Sequence, residues 1–296
     1  MEKKIGLFLG CVIPTEQYGY EMSIREIMKE FDVELVDVPN ISCCGGPFKS
    51  INIFMQIYLS ARNIAIFEKK GLDIYAPCPQ CHLSLSETKK RMKDSPSLAK
   101  RVRSRLEEEE GLLYNGDVRI YHTIDLFHDA IGLDVMKEKV KHPLPWNIAC
   151  HYGCQTIRYS GADRPDAAEH PLKMEEIIRV LGGSTRDYSE KLNCCGGPLI
   201  TTHKDAAYTK AGEKLKAVND RGFDALSIVC PYGGRMMDSK QEKAGEVMGE
   251  KLHIPVFYLT QLIGLSLGMS PGRLGLDLNL SPVEELLIRD HFLQTP

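Results

Sequence analysis

The chain has 296 residues, 43% of them hydrophobic and 26% charged, with a formal net charge of −3. These are the proportions of an ordinary water-soluble globular protein. A balance so close to neutrality gives no electrostatic reason to expect nucleic acid or an anionic membrane surface as partner.

The first residues run directly into an apolar, strand-like stretch, without the apolar core and small-residue cleavage site of a signal peptide. Residues 5–9 read as a buried strand. Residues 51–70 carry apolar side chains at 54, 55, 57, 58, 61, 64, 65 and 67, a helical stripe closed by Gly71. Strands are expected at 72–76 and 118–121. Residues 137–145 are charged and then broken by proline, which places a boundary between an N-terminal domain, 1–142, and a C-terminal domain, 143–296. The second half repeats the alternation, with strands at 146–149 and 225–229 and helices at 172–181 and 205–221. Residues 254–269 are the most apolar later segment. They are too few to span a bilayer and are interrupted by Thr260 and Gln261. No transmembrane segment is expected, and the location is read as cytoplasmic. After Ser270-Pro271-Gly272 a last helix is expected at 282–293.

Such alternation predicts an α/β fold, with a mostly parallel sheet flanked by helices in each half. Ten cysteines in such a chain need a reason, because disulfides are rare in a reducing compartment. They fall as two sets of five: Cys11, Cys43, Cys44, Cys78 and Cys81, then Cys150, Cys154, Cys194, Cys195 and Cys230. The sequence Ile-Ser-Cys-Cys-Gly-Gly-Pro-Phe at 41–48 returns as Leu-Asn-Cys-Cys-Gly-Gly-Pro-Leu at 192–199. Leu-Gly-Cys ending at Cys11 answers to Tyr-Gly-Cys ending at Cys154, and the run into Cys78-Pro79 answers to the run into Cys230-Pro231. The halves therefore read as a duplicated domain. Cys11, Cys78, Cys154 and Cys230 would sit at or just beyond C-terminal strand ends, where open α/β sheets place ligands.

In the first half 31 residues separate Cys11 from Cys43 and 33 separate Cys44 from Cys78, which opens a C-x-x-C with Cys81. Thiolates select zinc, copper(I) or iron–sulfur clusters. Five exceed what tetrahedral zinc or an ordinary four-cysteine cluster needs. Structural zinc, redox-relay cysteines and buried thiols without a ligand remain the alternatives. The second half departs from the first, since Gly233 stands where the first half has Cys81. Cys150 is either a replacement ligand or a core cysteine on a strand.

With both motifs in view, the chain resembles the CCG-domain proteins. Among them it is most similar to the HdrB subunit of heterodisulfide reductase and its homologues, including the related protein of sulfur oxidation. The resemblance runs from residue 5 to residue 268 and is strong at His-Tyr-Gly-Cys, 151–154, and at 190–198. It implies two Rossmann-like CCG domains. It implies that Cys11, Cys43, Cys44, Cys78 and Cys81 ligate a noncubane 4Fe–4S cluster. Cys154, Cys194, Cys195 and Cys230 would hold a second cluster, 4Fe–4S or 2Fe–2S. The implied activity is that of a disulfide oxidoreductase, working within a complex on a heterodisulfide or a lipoyl-protein substrate. Implied partners are the ferredoxin-like and flavoprotein subunits of a heterodisulfide-reductase-type complex. An electron-transfer iron–sulfur protein with no substrate site of its own is the alternative. Neither a ferredoxin cysteine run nor a G-x-G-x-x-G fingerprint occurs, so electrons must be exchanged with a partner.

Cys81 and Cys11 are the candidate catalytic thiols. His82 and His151, nearest in sequence to the expected metal, are candidate proton sources, weighed against histidines that merely bind a backbone carbonyl. His122 is a candidate cap or core residue. Lys49 and Arg158 are candidate attractors of an anionic substrate, and Glu107–Glu110 reads as a solvated or docking face.

Overall fold

The computed structural model describes residues 3–157 and 163–293. Its main elements in chain order are β1 (Lys3–Leu7), α1 (Tyr18–Glu30), β2 (Val33–Asp37), α2 (Ile53–Lys69), β3 (Ile74–Tyr75), α3 (Pro79–Asp94), α4 (Pro96–Glu110) and β4 (Ile120–Tyr121). They continue with β5 (Ile148–His151), α5 (Lys173–Val180), α6 (Lys204–Asp220), β6 (Ala225–Ile228), β7 (Val256–Tyr258), α7 (Leu259–Ser266) and α8 (Val283–Arg289). The expected α/β architecture is present, with two parallel sheets and helices around them. The helices read at 51–70, 172–181 and 205–221 are α2, α5 and α6. The last helix is shorter than the expected 282–293, because Asp290 leaves helical geometry and His291 turns left-handed at φ 63°.

The chain divides into two compact units. The first takes residues up to 11, 32–126 and 155–171. Its sheet has the order β2-β1-β3-β4, all parallel, with Ile5 opposite Leu35, Leu7 opposite Tyr75, and Tyr75 opposite Tyr121. Ile5, Leu7, Phe8, Ile74 and Tyr75 are buried, as strands of a parallel sheet should be. α2 is capped by Asn52, whose side chain accepts from the Met55 amide. It buries Ile57, Ala61, Ile64 and Ala65, one stripe at helical spacing.

The second unit takes residues 12–31, 127–154 and 172 onward. Its sheet is β5-β6-β7, again parallel. A parallel bridge between Asn147 and Ser184 lines the other edge of β5, where β2 flanks β1 in the first unit. Trp146 is fully buried there, stacked on Phe257 and donating its indole N–H to Asp290 at 2.7 Å. α1 also belongs to this unit, although it follows Cys11 in sequence. Its buried face, Tyr20, Ser23, Ile24, Ile27 and Met28, meets α7. Tyr20 stacks on Tyr258 with ring centroids 3.9 Å apart, its hydroxyl donates to the Val229 carbonyl, and Ser23 bonds Thr260 at 2.7 Å.

Among the described residues no helix is long and apolar enough to cross a membrane.

Candidate metal centre

In the first unit the backbone delivers five thiols to one place. Cys11 follows β1. Cys78 follows β3 as the N-cap of α3, in extended geometry with Pro79 at the first helical position, which suits proline because that amide needs no partner. Cys81 lies one turn into α3. Cys43 and Cys44 precede a left-handed Gly45 at φ 78°. A Cβ at Gly45 would lie 2.8 Å from Gln56 Cα, so the second cysteine can pass α2 closely only because glycine follows it. Two buried side chains fix this turn. Ser60 donates to the Cys44 carbonyl at 2.7 Å, and the Asn63 amide donates to the Ser42 and Cys43 carbonyls at 3.1 Å.

The sulfurs act on one another. The Cys43 and Cys81 thiols hydrogen bond to Cys44, whose pKa falls to about 3, helped by the Gly46 amide and Ser84. Cys43 and Cys81 are pushed up in exchange, first by the bond to Cys44. Cys78 bonds Cys81, and Cys11 acts on Cys43 through its charge. The Gly45 amide donates to Cys43 Sγ at 3.4 Å. Cys44, Cys78 and Cys81 are buried, Cys43 is half-buried and Cys11 is exposed. All five predicted ligands are therefore brought together.

The second unit repeats the design with four. The Gly196 amide donates to Cys194 Sγ at 3.4 Å, matching the first unit. Cys154 and Cys195 hydrogen bond to Cys194 and lower its pKa to about 2. Cys195 is raised, first by its bond to Cys194, then by burial and the charge of Cys230. Cys230 caps a helix that stops at Gly233 and passes into a π-helical turn, Gly234–Asp238, where α3 runs on for 16 residues. Cys150 lies apart. It is buried on β5 with Thr185 Oγ1 at 4.0 Å, and its thiol is raised by burial and then by Glu175, with no cysteine among its main neighbours. Cys150→Ala should leave the iron content of the purified protein unchanged, which metal analysis beside the parent chain checks.

The non-cysteine candidates are placed as follows. His82 is buried, its pKa lowered to about 4 by burial, with a hydrogen bond to the Ile120 backbone. Its ring meets that of His122 edge-on at 5.8 Å. His122 caps a short helix, accepting from the Ile124 amide at Nδ1, and burial holds it neutral. His151 is buried on β5 beside Cys194, its pKa lowered to about 3 by burial. Lys49 pairs with buried Glu87 at 2.6 Å. Glu109 and Glu110 accept from the Tyr58 hydroxyl, and Glu110 pairs with Arg62. Arg158 lies outside the described residues.

Sequence reasoning missed Lys214, on the buried face of α6. It donates to the Glu190 carbonyl and to the Lys191 carbonyl, the latter at 3.0 Å, and so holds the loop leading to Cys194. Burial lowers its pKa to about 7 against the pull of Cys195. Its only sequence signal is a lysine in an otherwise apolar helical stripe. Lys214→Met would leave the buried Lys191 carbonyl and the part-buried Glu190 carbonyl without their donor, a loss of about 1–3 kcal/mol that urea unfolding would register.

Among the described residues no three His, Cys, Asp or Glu side chains are drawn round one point as for a single ion. The first-unit thiols are instead linked one to the next, Cys43 to Cys44, Cys44 to Cys81 and Cys81 to Cys78. The donor set of the first unit nevertheless fits a sulfur-ligated polynuclear centre. Five soft donors line one cradle, and Gly10, at φ 73°, keeps it open, since a Cβ there would lie 2.6 Å from Cys81 Sγ. A surface cavity of about 610 Å³ lined by Lys89, Lys90, Lys93, Arg103 and Tyr114 contains none of the cysteines.

The CCG family, described as a cysteine-rich domain, matches the chain twice, over residues 5–86 and 148–238. The HdrB subunit of the ferredoxin/F420H2-dependent CoB-CoM heterodisulfide reductase of Methanosarcina acetivorans is 31% identical over 280 residues, 93% of each chain. The chain belongs to the HdrB family of heterodisulfide reductases and, with it, to the CCG, cysteine-rich domain proteins. Another relative is the 8-methylmenaquinol:fumarate reductase membrane anchor subunit of Wolinella succinogenes, 26% identical over 97% of this chain and 100% of that one. In fold, the CCG chain resembles a crystal structure of a hypothetical protein from Helicobacter pylori, with a TM-score of 0.75 at 16% identity. That likeness covers 95% of this chain and 52% of the other, so the chain spans about half of that structure's length.

Proposed function

We propose that this chain is the iron–sulfur subunit of a heterodisulfide-reductase-type oxidoreductase complex, reducing or forming a sulfur–sulfur bond. The convergence of Cys11, Cys43, Cys44, Cys78 and Cys81 within one unit carries this reading, in a family whose relatives include heterodisulfide reductase subunits. These five thiolates would hold a noncubane 4Fe–4S cluster, and Cys154, Cys194, Cys195 and Cys230 would hold a second centre, 4Fe–4S or 2Fe–2S. Such centres supply one-electron chemistry and an iron to which substrate sulfur can bind.

The chain's own groups prepare that site. The Gly46 amide and Ser84 stabilise negative charge on Cys44. Burial of Cys44, Cys78 and Cys81 keeps water from the inner thiols. Exposed Cys11 marks the face that a disulfide or a lipoyl group would meet. His82 and His122 act by position, tying the first turn of α3, and with it Cys81, to the end of β4. Electrons would be exchanged in the cytoplasm with the ferredoxin-like and flavoprotein subunits of the complex.

A second reading, electron transfer with no substrate site of its own, draws on the relative from a fumarate reductase. Anaerobic purification should give iron and acid-labile sulfide in comparable amounts. A heterodisulfide should then change the EPR spectrum of the protein. A spectrum indifferent to every disulfide would favour pure electron transfer, and zinc in place of iron would end both readings.

A further inference from the structure

Each unit carries the same junction, and the two differ there at a matched pair of positions. Three residues before Cys11 stands Phe8, and three before Cys154 stands His151. Three residues after Cys78 stands Cys81, and three after Cys230 stands Gly233. One unit thus combines an apolar ring with a thiol, and the other an imidazole with no side chain.

The two second-unit positions adjoin. A Cβ built on Gly233 lies 3.7 Å from His151 Cδ2, 3.7 Å from Cys230 Cβ and 3.3 Å from the Met237 methyl. The Cδ2 corner of the imidazole therefore lies beside the point where a side chain at 233 would begin. His151 is 1% exposed, and neither ring nitrogen has a partner in ordinary hydrogen-bond geometry. The Lys191 backbone lies close enough only for a weaker contact. Cys194 is near enough to act on the ring through its charge. Buried polar groups are almost always paired, so an orphaned imidazole close to Cys194 calls for a partner such as a bound ion. Neutral imidazole is a good ligand for iron.

We propose that His151 is a nitrogen ligand of the second-unit centre, taking the place of the thiolate that Gly233 removes. This rests on the iron–sulfur reading above. The centre would then be held by Cys154, Cys194, Cys195, Cys230 and His151. Exchanging an anionic thiolate for a neutral nitrogen makes the site less negative, and the same exchange raises the potential of clusters elsewhere. The second centre would be the more easily reduced of the two.

Pulsed EPR of the full-length, anaerobically reduced chain, grown with 15N-histidine, tests the assignment. A nitrogen hyperfine coupling is expected on one of the two centres. In His151→Ala that coupling should vanish, together with the second centre's share of the iron, roughly a third for a 2Fe–2S centre and roughly half for a 4Fe–4S one. His151→Cys should keep the iron without the coupling and move the potential downward. His151→Ala combined with Gly233→Cys should recover the iron, which separates loss of a ligand from failure to fold. The proposal is overturned if wild type shows no coupling, or if His151→Ala keeps the coupling or the iron. A chain that loads only its first set of cysteines would remove this proposal and leave the proposed function standing. One that binds no iron at all would remove both.

Discussion

Cys44→Ala is expected to strip the iron from the first unit and to lower disulfide turnover by at least about 100-fold, the upper end of what even groups behind the ligands produce in metal sites. Cys44 is where the contacts of the first unit meet. It receives hydrogen bonds from Cys43, Cys81, Ser84 and the Gly46 amide. Its carbonyl is fixed by Ser60. Removing the sulfur leaves Cys43 and Cys81 without their shared acceptor, so the loss extends beyond one ligand. Iron and sulfide analysis of the variant, with turnover measured on the same sample, checks this. Iron retained at the parent level with normal turnover would contradict the assignment of this set as the metal centre.

The second large effect is expected at the glycine that follows the paired cysteines. Gly196 adopts φ 76°, and a Cβ there would lie 2.6 Å from the Ala207 carbonyl oxygen and 2.9 Å from its Cα. Both are backbone atoms of α6, so neither can move aside cheaply. Left-handed geometry costs a non-glycine residue about 1–2 kcal/mol, and overpacking adds about 1–3 kcal/mol. Gly196→Ala should therefore destabilise the protein by about 2–5 kcal/mol and displace Cys194 and Cys195 from their partners. Gly222 provides the control. It has φ 64° with nothing within 4 Å of its Cβ position, so Gly222→Ala should show the conformational part alone. Chemical unfolding of the two variants side by side measures the difference. Equal losses would mean that the close approach to α6 contributes nothing.

The fold was legible because its signals are local. An apolar stripe closed by Gly71 marked α2, the repeat of the same alternation marked α5 and α6, and repeated motifs paired the two halves. Strand ends were less clear. The strand read at 146–149 is Ile148–His151, two residues later, because the ladder with β6 continues until Ile228 pairs with His151. That shift puts the histidine in the sheet, buried, where the sequence suggested only a residue near the metal. The five cysteines of the first unit could be grouped from spacing and repetition. Lys214 could not, since a single lysine in a helix is ordinarily solvated and its two acceptors are loop carbonyls. α1 was equally hidden, because the partners of Tyr20 and Ser23 lie far along the chain and no local pattern names them.

That remoteness bears on how the protein is made. Ser23 and Thr260 are 237 residues apart. At about 5–20 residues per second, α1 leaves the ribosome roughly 10–50 s before the helix it packs on. Throughout that interval Tyr20, Ile24, Ile27 and Met28 have nothing permanent to cover them. Nascent chains of this protein should thus be clients for chaperones that shield apolar helices. A fragment beginning at residue 143 would be born with the opposite defect, its Tyr258 ring bare.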